Sequence, residues 1–166
     1  MLKILGVLMN KTEKILFCDL DGVLFDPSKR LKYLKGKLKS WDKFYSDEKI
    51  MKDKPIEAGI TLVKSLAMVG YKVVYVTSRR EMCLEASLKQ IACAGLPLSG
   101  IIMRKTGDVR KAWLVKASNM RKMLWGYGKP VEGYFLDDDP RNCYWIGKKF
   151  KNIKPLCFGI GRYKEK

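Results

Sequence analysis

The sequence predicts an α/β fold: a three-layer, Rossmann-like parallel sheet with helices on both faces and no large cap domain. Short apolar runs rich in β-branched residues alternate with amphipathic stretches of helical length. Strand–helix alternation of this kind builds right-handed βαβ units around a parallel sheet. In addition, acidic or hydroxyl residues close three of the apolar runs, at the strand ends where open α/β sheets gather their functional groups.

The opening "MLKILGVLMN" carries one Lys and a short apolar run. It is too short to span a membrane and lacks a small-residue cleavage site, so it reads as a strand or a docked tail. Ile15, Leu16 and Phe17 form the first buried strand, ended by "DLDG". Residues 28–54 are basic and aromatic, with no sustained period. Pro55 is expected to open a helix whose Ile56, Ile60, Val63, Leu66 and Ala67 share one face and whose Gly70 ends it. "YKVVYVTSR" is the next strand, "EMCLEASLKQIACAG" a helix closed by Gly95, and "SGIIMR" a further strand. Asp108 to about Trp125 reads as a helix, "VEGYFLDDD" as a strand, "PRNCYWIGKKF" as a short helix and "KPLCFGI" as a last strand. Residues 1–166 form one domain in this reading, with a small basic insert at about 27–54.

Net charge is +17 over 166 residues, a field that favours polyanions, chiefly nucleic acid; a solvated Lys-rich surface is the alternative source of the excess. Apolar content of 47% and four Trp fit a folded core rather than disorder. The chain has no His, which excludes His acid/base chemistry and His-ligated zinc. Five Cys form no CxxC pair, so reduced thiols and a cytoplasmic setting (host cytoplasm for a viral protein) are expected.

Two carboxylates one residue apart, Asp19 and Asp21, repel each other unless a cation or a reaction uses them. With Thr77, Ser78 and Arg79 at the second strand end, Asp137, Asp138 and Asp139 at the fourth, and Lys116 in the helix between, the set suits phosphoryl transfer. A carboxylate can attack phosphorus and form an acyl phosphate, splitting hydrolysis into two displacements. Mg2+ prefers carboxylate oxygens plus water and substrate phosphate, which Asp19, Asp137 and Asp138 can supply. Thr77 can bond a phosphoryl oxygen, Lys116 can neutralise charge, and Asp21 can protonate a leaving alkoxide. Lys105 and Lys111 compete with Lys116 for its role, and Asp139 is expected to cap the helix begun at Pro140.

"DLDGVLFD" resembles the first motif of the haloacid dehalogenase superfamily of phosphohydrolases, and "VVYVTSR", Lys116 and "YFLDDD" are similar to its second, third and fourth motifs, in order. More narrowly, "TSR", "IIMRKTGDVRKAWLVK", "FLDDDPRN" and "SWDKF...KDKPIEA" resemble the 3′-phosphatase domain of bacteriophage-type polynucleotide kinase/phosphatases, over roughly residues 14–158. The resemblance implies that Asp19 is the nucleophile, Asp21 the acid/base and Thr77, with Ser78, the phosphate binder. Arg79 and Arg110 would contact substrate and Lys116 would neutralise charge. Asp19, Asp137 and Asp138, with the Asp21 backbone carbonyl, would hold Mg2+. The GxxxxGK[ST] motif of the kinase half is missing, and Ala112 replaces the acid usual in the D-x-R-x-D run.

Only about thirty residues separate Asp26 from Pro55, so an open site that admits a polymer end is expected. The insert mixes Lys and Arg with Tyr33, Trp41, Phe44 and Tyr45, a composition suited either to gripping nucleic acid or to packing aromatics inward. The function read here is Mg2+-dependent removal of a terminal 3′-phosphate from nucleic acid ends. The alternatives are a 5′(3′)-nucleotidase acting on mononucleotides and a non-catalytic nucleic-acid-binding protein of the same fold.

Overall fold

Alternation along the first apolar run decides the layering. The computed structural model of the chain describes residues 12–37 and 39–159, and the opening apolar run falls outside them. Strand β1 (Glu13–Cys18) is followed by a short ribbon of β2 (Phe25–Asp26) and β3 (Lys54–Pro55), then by β4 (Lys72–Arg80), β5 (Gly100–Arg104), β6 (Val131–Asp137) and β7 (Ile153–Cys157). All but the ribbon join one parallel sheet in the order β5-β4-β1-β6-β7. Because successive side chains of a strand point to opposite faces, β1 serves two cores. Leu16 and Cys18 pack with Val73, Tyr75, Ile60, Val63 and Ile91 on one face. Ile15 and Phe17 pack with Val74, Val76, Met120 and Ile146 on the other. Each such fully buried side chain contributes about 1.5–3 kcal/mol.

Three layers result. Helices α1 (Ser28–Leu31), α2 (Trp41–Phe44) and α3 (Asp47–Ile50) are short pieces of the insert. Helices α4 (Glu57–Met68) and α5 (Leu84–Cys93) cover one face, and α6 (Ala112–Tyr127) and α7 (Pro140–Lys149) the other. The insert, about 27–53, hangs from the β2–β3 ribbon and forms no large cap. It has its own small core, in which Phe44, Tyr45 and Ile50 meet Cys83, Ala86 and Met103.

Two helix starts differ from expectation. Pro55 pairs with Phe25 in the ribbon, and α4 begins only at Glu57. A proline lacks the N–H that a ladder needs, and an edge ribbon tolerates that loss. Helix α6 begins at Ala112 rather than Asp108, because the Asp108 carboxylate accepts from the Arg110 backbone N–H at 3.0 Å and folds a local turn first. The aromatics of the insert divide. Phe44 and Tyr45 are buried in its core, whereas Trp41 stays 48% exposed and stacks on Tyr45 at 5.8 Å. All five cysteines are free thiols; Cys18, Cys83 and Cys143 are buried, and Cys93 and Cys157 are exposed.

Candidate active site

Strands β1, β4 and β6 end side by side, so the sheet brings their terminal polar residues together. Asp19 follows β1 directly; its backbone N–H donates to the Leu136 carbonyl at 2.8 Å, continuing the ladder one residue past the strand. The Asp19 carboxylate takes the Leu20 N–H on Oδ1 at 2.8 Å and Lys116 Nζ on Oδ2 at 2.6 Å. Lys116 sits on the inner face of α6 and reaches Asp137 Oδ2 as well, at 2.5 Å. Of the three competing lysines it is therefore Lys116 that meets Asp19, while Lys105 and Lys111 lie exposed. Asp137 is fixed further by the Asp139 N–H and by Asn142 Nδ2, both at 2.9 Å on Oδ1. Asp139 caps α7 through the Arg141 N–H, as the following proline implies.

These contacts set the electrostatics. Burial raises the Asp19 carboxyl above its ordinary range, Lys116 pulls it back down, and the neighbouring charge of Asp137 pushes it up again; the net effect is a rise. Burial by itself would lower the Lys116 ammonium, but Asp137 and Asp19 outweigh it and hold the cation above its ordinary value. Lys116 is thus a permanent positive charge between two buried carboxylates.

Ligand atoms of Asp19, Asp137 and Asp138 lie within 4.8 Å of one another. The set is all oxygen, with no thiolate or imidazole, which suits a hard cation such as Mg2+ over a soft one. Gly22 makes room for it. Its φ of 83° is left-handed, and a Cβ there would overlap the Asp138 carboxylate.

Asp21 stands on the other side of Asp19. Its Oδ1 accepts from Arg79 Nη2 and Arg30 Nη2, each at 2.7 Å, and Arg79 Nε lies 3.2 Å from both carboxylate oxygens. Burial would raise this carboxyl, yet the two guanidinium groups win and hold it below its usual value. Oδ2 receives only the longer contact, and the side chain keeps 20% exposure.

Arg79, expected to contact substrate, lies behind Asp21 in the structure. Its side chain is fully buried, with Nη1 donating to Ser87 Oγ at 3.1 Å and Gln90 Oε1 at 2.7 Å while Nε and Nη2 serve Asp21. All of its guanidinium nitrogens therefore have protein acceptors, Asp21 among them. Arg110 is likewise not brought to Asp19. Its half-exposed guanidinium bonds Asp108 at 2.7 Å and borders a groove along α6. Thr77 is buried at the end of β4 with Oγ1 accepting the Arg79 N–H at 3.1 Å, which leaves its hydroxyl proton to give. Ser78 Oγ, next along the strand, is buried and without a hydrogen-bond partner among the described residues.

Sequence reasoning missed Arg30 and Asp53. Both are buried in the insert, with Arg30 bonding Asp53 through Nε and Nη2 at 2.6–3.0 Å and Asp21 through Nη2. Nothing in their local pattern distinguishes them among 34 basic and 17 acidic residues.

A buried aspartate at the end of the central strand, a lysine joining it to a second acid, and a hydroxyl at the neighbouring strand end define a phosphatase of the haloacid dehalogenase type. A family model narrows this: the polynucleotide kinase PNKP phosphatase domain matches residues 13–127, and the chain belongs to that family. Among solved structures, a chain in the Pnkp1/Rnl/Hen1 complex superposes with a TM-score of 0.67 at 20% identity, covering 92% of this chain and 48% of its own. The class C acid phosphatase from Bacillus anthracis with tungstate bound gives 0.58 at 18%, over 85% and 58%. A hydrolase from Streptococcus pneumoniae TIGR4 gives 0.59 at 14%, over 90% and 94%. The chain thus spans about half the length of the first of these neighbours. At such identities the likeness is one of fold. No curated protein sequence matches the chain. Among the described residues no helix is long and apolar enough to cross a membrane.

Proposed function

We propose that this phosphatase removes the terminal 3′-phosphate from nucleic acid ends, in a Mg2+-dependent reaction that passes through an aspartyl-phosphate on Asp19. The observation that carries the reading is the Lys116 bridge between Asp19 and Asp137, with Asp138 beside them at an edge no large cap covers. Asp19, Asp137 and Asp138, with the Asp21 carbonyl, would hold the cation, which supplies charge neutralisation for the phosphoryl group. An Asp19 carboxylate oxygen attacks phosphorus, and the bond from phosphorus to the 3′ oxygen breaks. Asp21, carrying a proton as substrate binds, gives it to that oxygen; as the carboxylate that Arg79 and Arg30 favour, it then accepts one from the water that cleaves the acyl phosphate, restoring Asp19. The Lys116 ammonium and the Thr77 hydroxyl donate to the charge that develops on the phosphoryl oxygens.

Asp21→Asn separates the two halves of this assignment. It should slow release from a nucleotide alkoxide far more than from an aryl phosphate, whose leaving group needs little protonation. Equal losses on both substrates would reassign Asp21 to positioning.

The polymer substrate is tested by phosphate release from a 3′-phosphorylated oligonucleotide beside a mononucleotide, across a salt series. Each phosphate contact releases condensed counterions, so log K should fall with log salt at about −0.7 per contact for a single strand. The mononucleotide should respond weakly. Neutralising the exposed Lys35, Lys37 and Lys39 of the insert together should flatten the oligonucleotide slope and leave aryl phosphate hydrolysis unchanged. Equal, shallow slopes and similar kcat/KM for the two substrates would mean a 5′(3′)-nucleotidase instead.

A further inference from the structure

Two tryptophans stand at the lip of the site without belonging to either large core. Trp113 and Trp145 stack face to face, with ring centroids 4.6 Å apart and planes inclined by 15°. Trp113 is half-buried, and Trp145 is 37% exposed although it lies on α7, whose inner face buries Cys143 and Ile146. The two rings border a pocket of about 320 Å3 whose other walls include Lys111, Arg141 and Asn142.

That pocket adjoins the chemistry on two sides. Asn142 forms its wall and at the same time donates to Asp137 Oδ1 at 2.9 Å. Trp113 lies one turn before Lys116 on α6, about 4.5 Å along the helix axis, and Lys116 holds Asp19. A group seated at Trp145 therefore adjoins a pocket that shares Asn142 with the Asp137 side of the site. Cations surround the rings: Lys111 opens into the pocket, Arg141 pairs with Asp139 at its rim, and Lys149 Nζ stands 5.7 Å from the Trp113 ring centre. Trp145 is a partly exposed indole among cations, stacked on Trp113 and with the Tyr144 ring nearly perpendicular to it at 5.3 Å, and its exposed part offers a nucleobase an aromatic surface beside charges that suit the phosphodiester. A core role needs no exposed face, and a site for a bare phosphomonoester needs no tryptophan.

We infer that Trp145, backed by Trp113, is the platform on which the base of the substrate's 3′-terminal nucleotide stacks, with Lys111 beside the adjoining phosphodiester. The inference rests on the nucleic-acid-end reading above and adds the subsite that recognises the terminal nucleotide. Stacking tolerates any base, so the subsite gives affinity without sequence preference.

The test compares wild type, Trp145→Ala and Trp145→Leu on three substrates: a 3′-phosphorylated oligonucleotide, the same strand with an abasic terminal nucleotide, and an aryl phosphate. Loss of one stacked base corresponds to about a 5- to 160-fold change. Trp145→Ala should raise KM for the intact strand within that range and leave aryl phosphate hydrolysis as in wild type. For wild type, the abasic strand should show the same rise, and for Trp145→Ala no additional one. Trp145→Leu keeps apolar bulk under the rim, and it should behave as Trp145→Ala does even if the smaller residue weakens folding. Equal KM for intact and abasic strands with wild type would overturn the platform, as would an undiminished penalty for base loss in either variant. An enzyme active on aryl phosphate yet inert on every oligonucleotide would instead overturn the nucleic-acid-end reading beneath it.

Discussion

Asp19→Asn is expected to abolish phosphate release, by at least about 10^4-fold, while leaving the fold intact. An amide is a poor nucleophile toward phosphorus and a weaker ligand for a hard cation. The fold should survive because Lys116 keeps its second partner, Asp137, when the Asp19 charge is removed. The stability of the two proteins should differ in a particular direction. Burial pushes the Asp19 carboxyl up to about 7, against the pull of Lys116 and with the push of Asp137. A group raised in the folded state contributes stability that is present below its unfolded value and is lost as pH rises through the folded one. Metal-free wild type should therefore lose stability relative to Asp19→Asn between about pH 4 and about pH 7. Magnesium should then narrow the gap by supplying the missing positive charge. Denaturant unfolding at several pH values, with and without Mg2+, measures this. Substantial turnover by folded Asp19→Asn would sink the aspartyl-phosphate mechanism.

Arg30→Met should cost about 3–5 kcal/mol of folding stability, because it strands a buried carboxylate. Arg30 and the side chain of Asp53 are almost wholly inaccessible and joined at 2.6 Å, and the nearest other cation to Asp53 is Arg79 at 3.8 Å. Asp53→Leu should be costly for the converse reason. The double substitution should be less destabilised than the sum of the singles, since it removes both charges together. Activity should fall as well. Arg30 and Arg79 both bond Asp21 Oδ1 at 2.7 Å, so losing Arg30 removes one of two donors to that oxygen while Arg79 keeps its contacts to the carboxylate. Additive stability changes in the double variant would mean that the pair is not a unit.

Arg30 and Asp53 also mark the boundary of what the sequence conveys. The parallel sheet and the two helical layers were legible because burial writes a period into the chain: β1 alternates between two cores, and α4 buries Ile60 and Val63 on one stripe. Asp19, Asp137 and Asp138 were legible for a related reason. A strand register fixes where each strand ends, and a sheet aligns those ends, so residues 118 positions apart become neighbours by topology alone. Lys116 was the lysine read from the sequence, with Lys105 and Lys111 as competitors, and packing separates them: the two competitors precede α6 and stay exposed, while Lys116 lies on its buried face and meets Asp19. Arg79 illustrates the converse. Its position at a strand end was plain, but the end of a nine-residue strand has an inner and an outer side, and packing against Ser87 and Gln90 turned its guanidinium inward. The insert had no period to read. Its fold comes from contacts with the sheet and from a buried charge network, and such contacts between distant residues leave no local pattern in a chain where one residue in five is Lys or Arg. Periodicity therefore determined the layers and the strand-end acids. The tertiary structure decided which charged groups face the cleft and which stand behind it, because side-chain direction is set by what packs against each element.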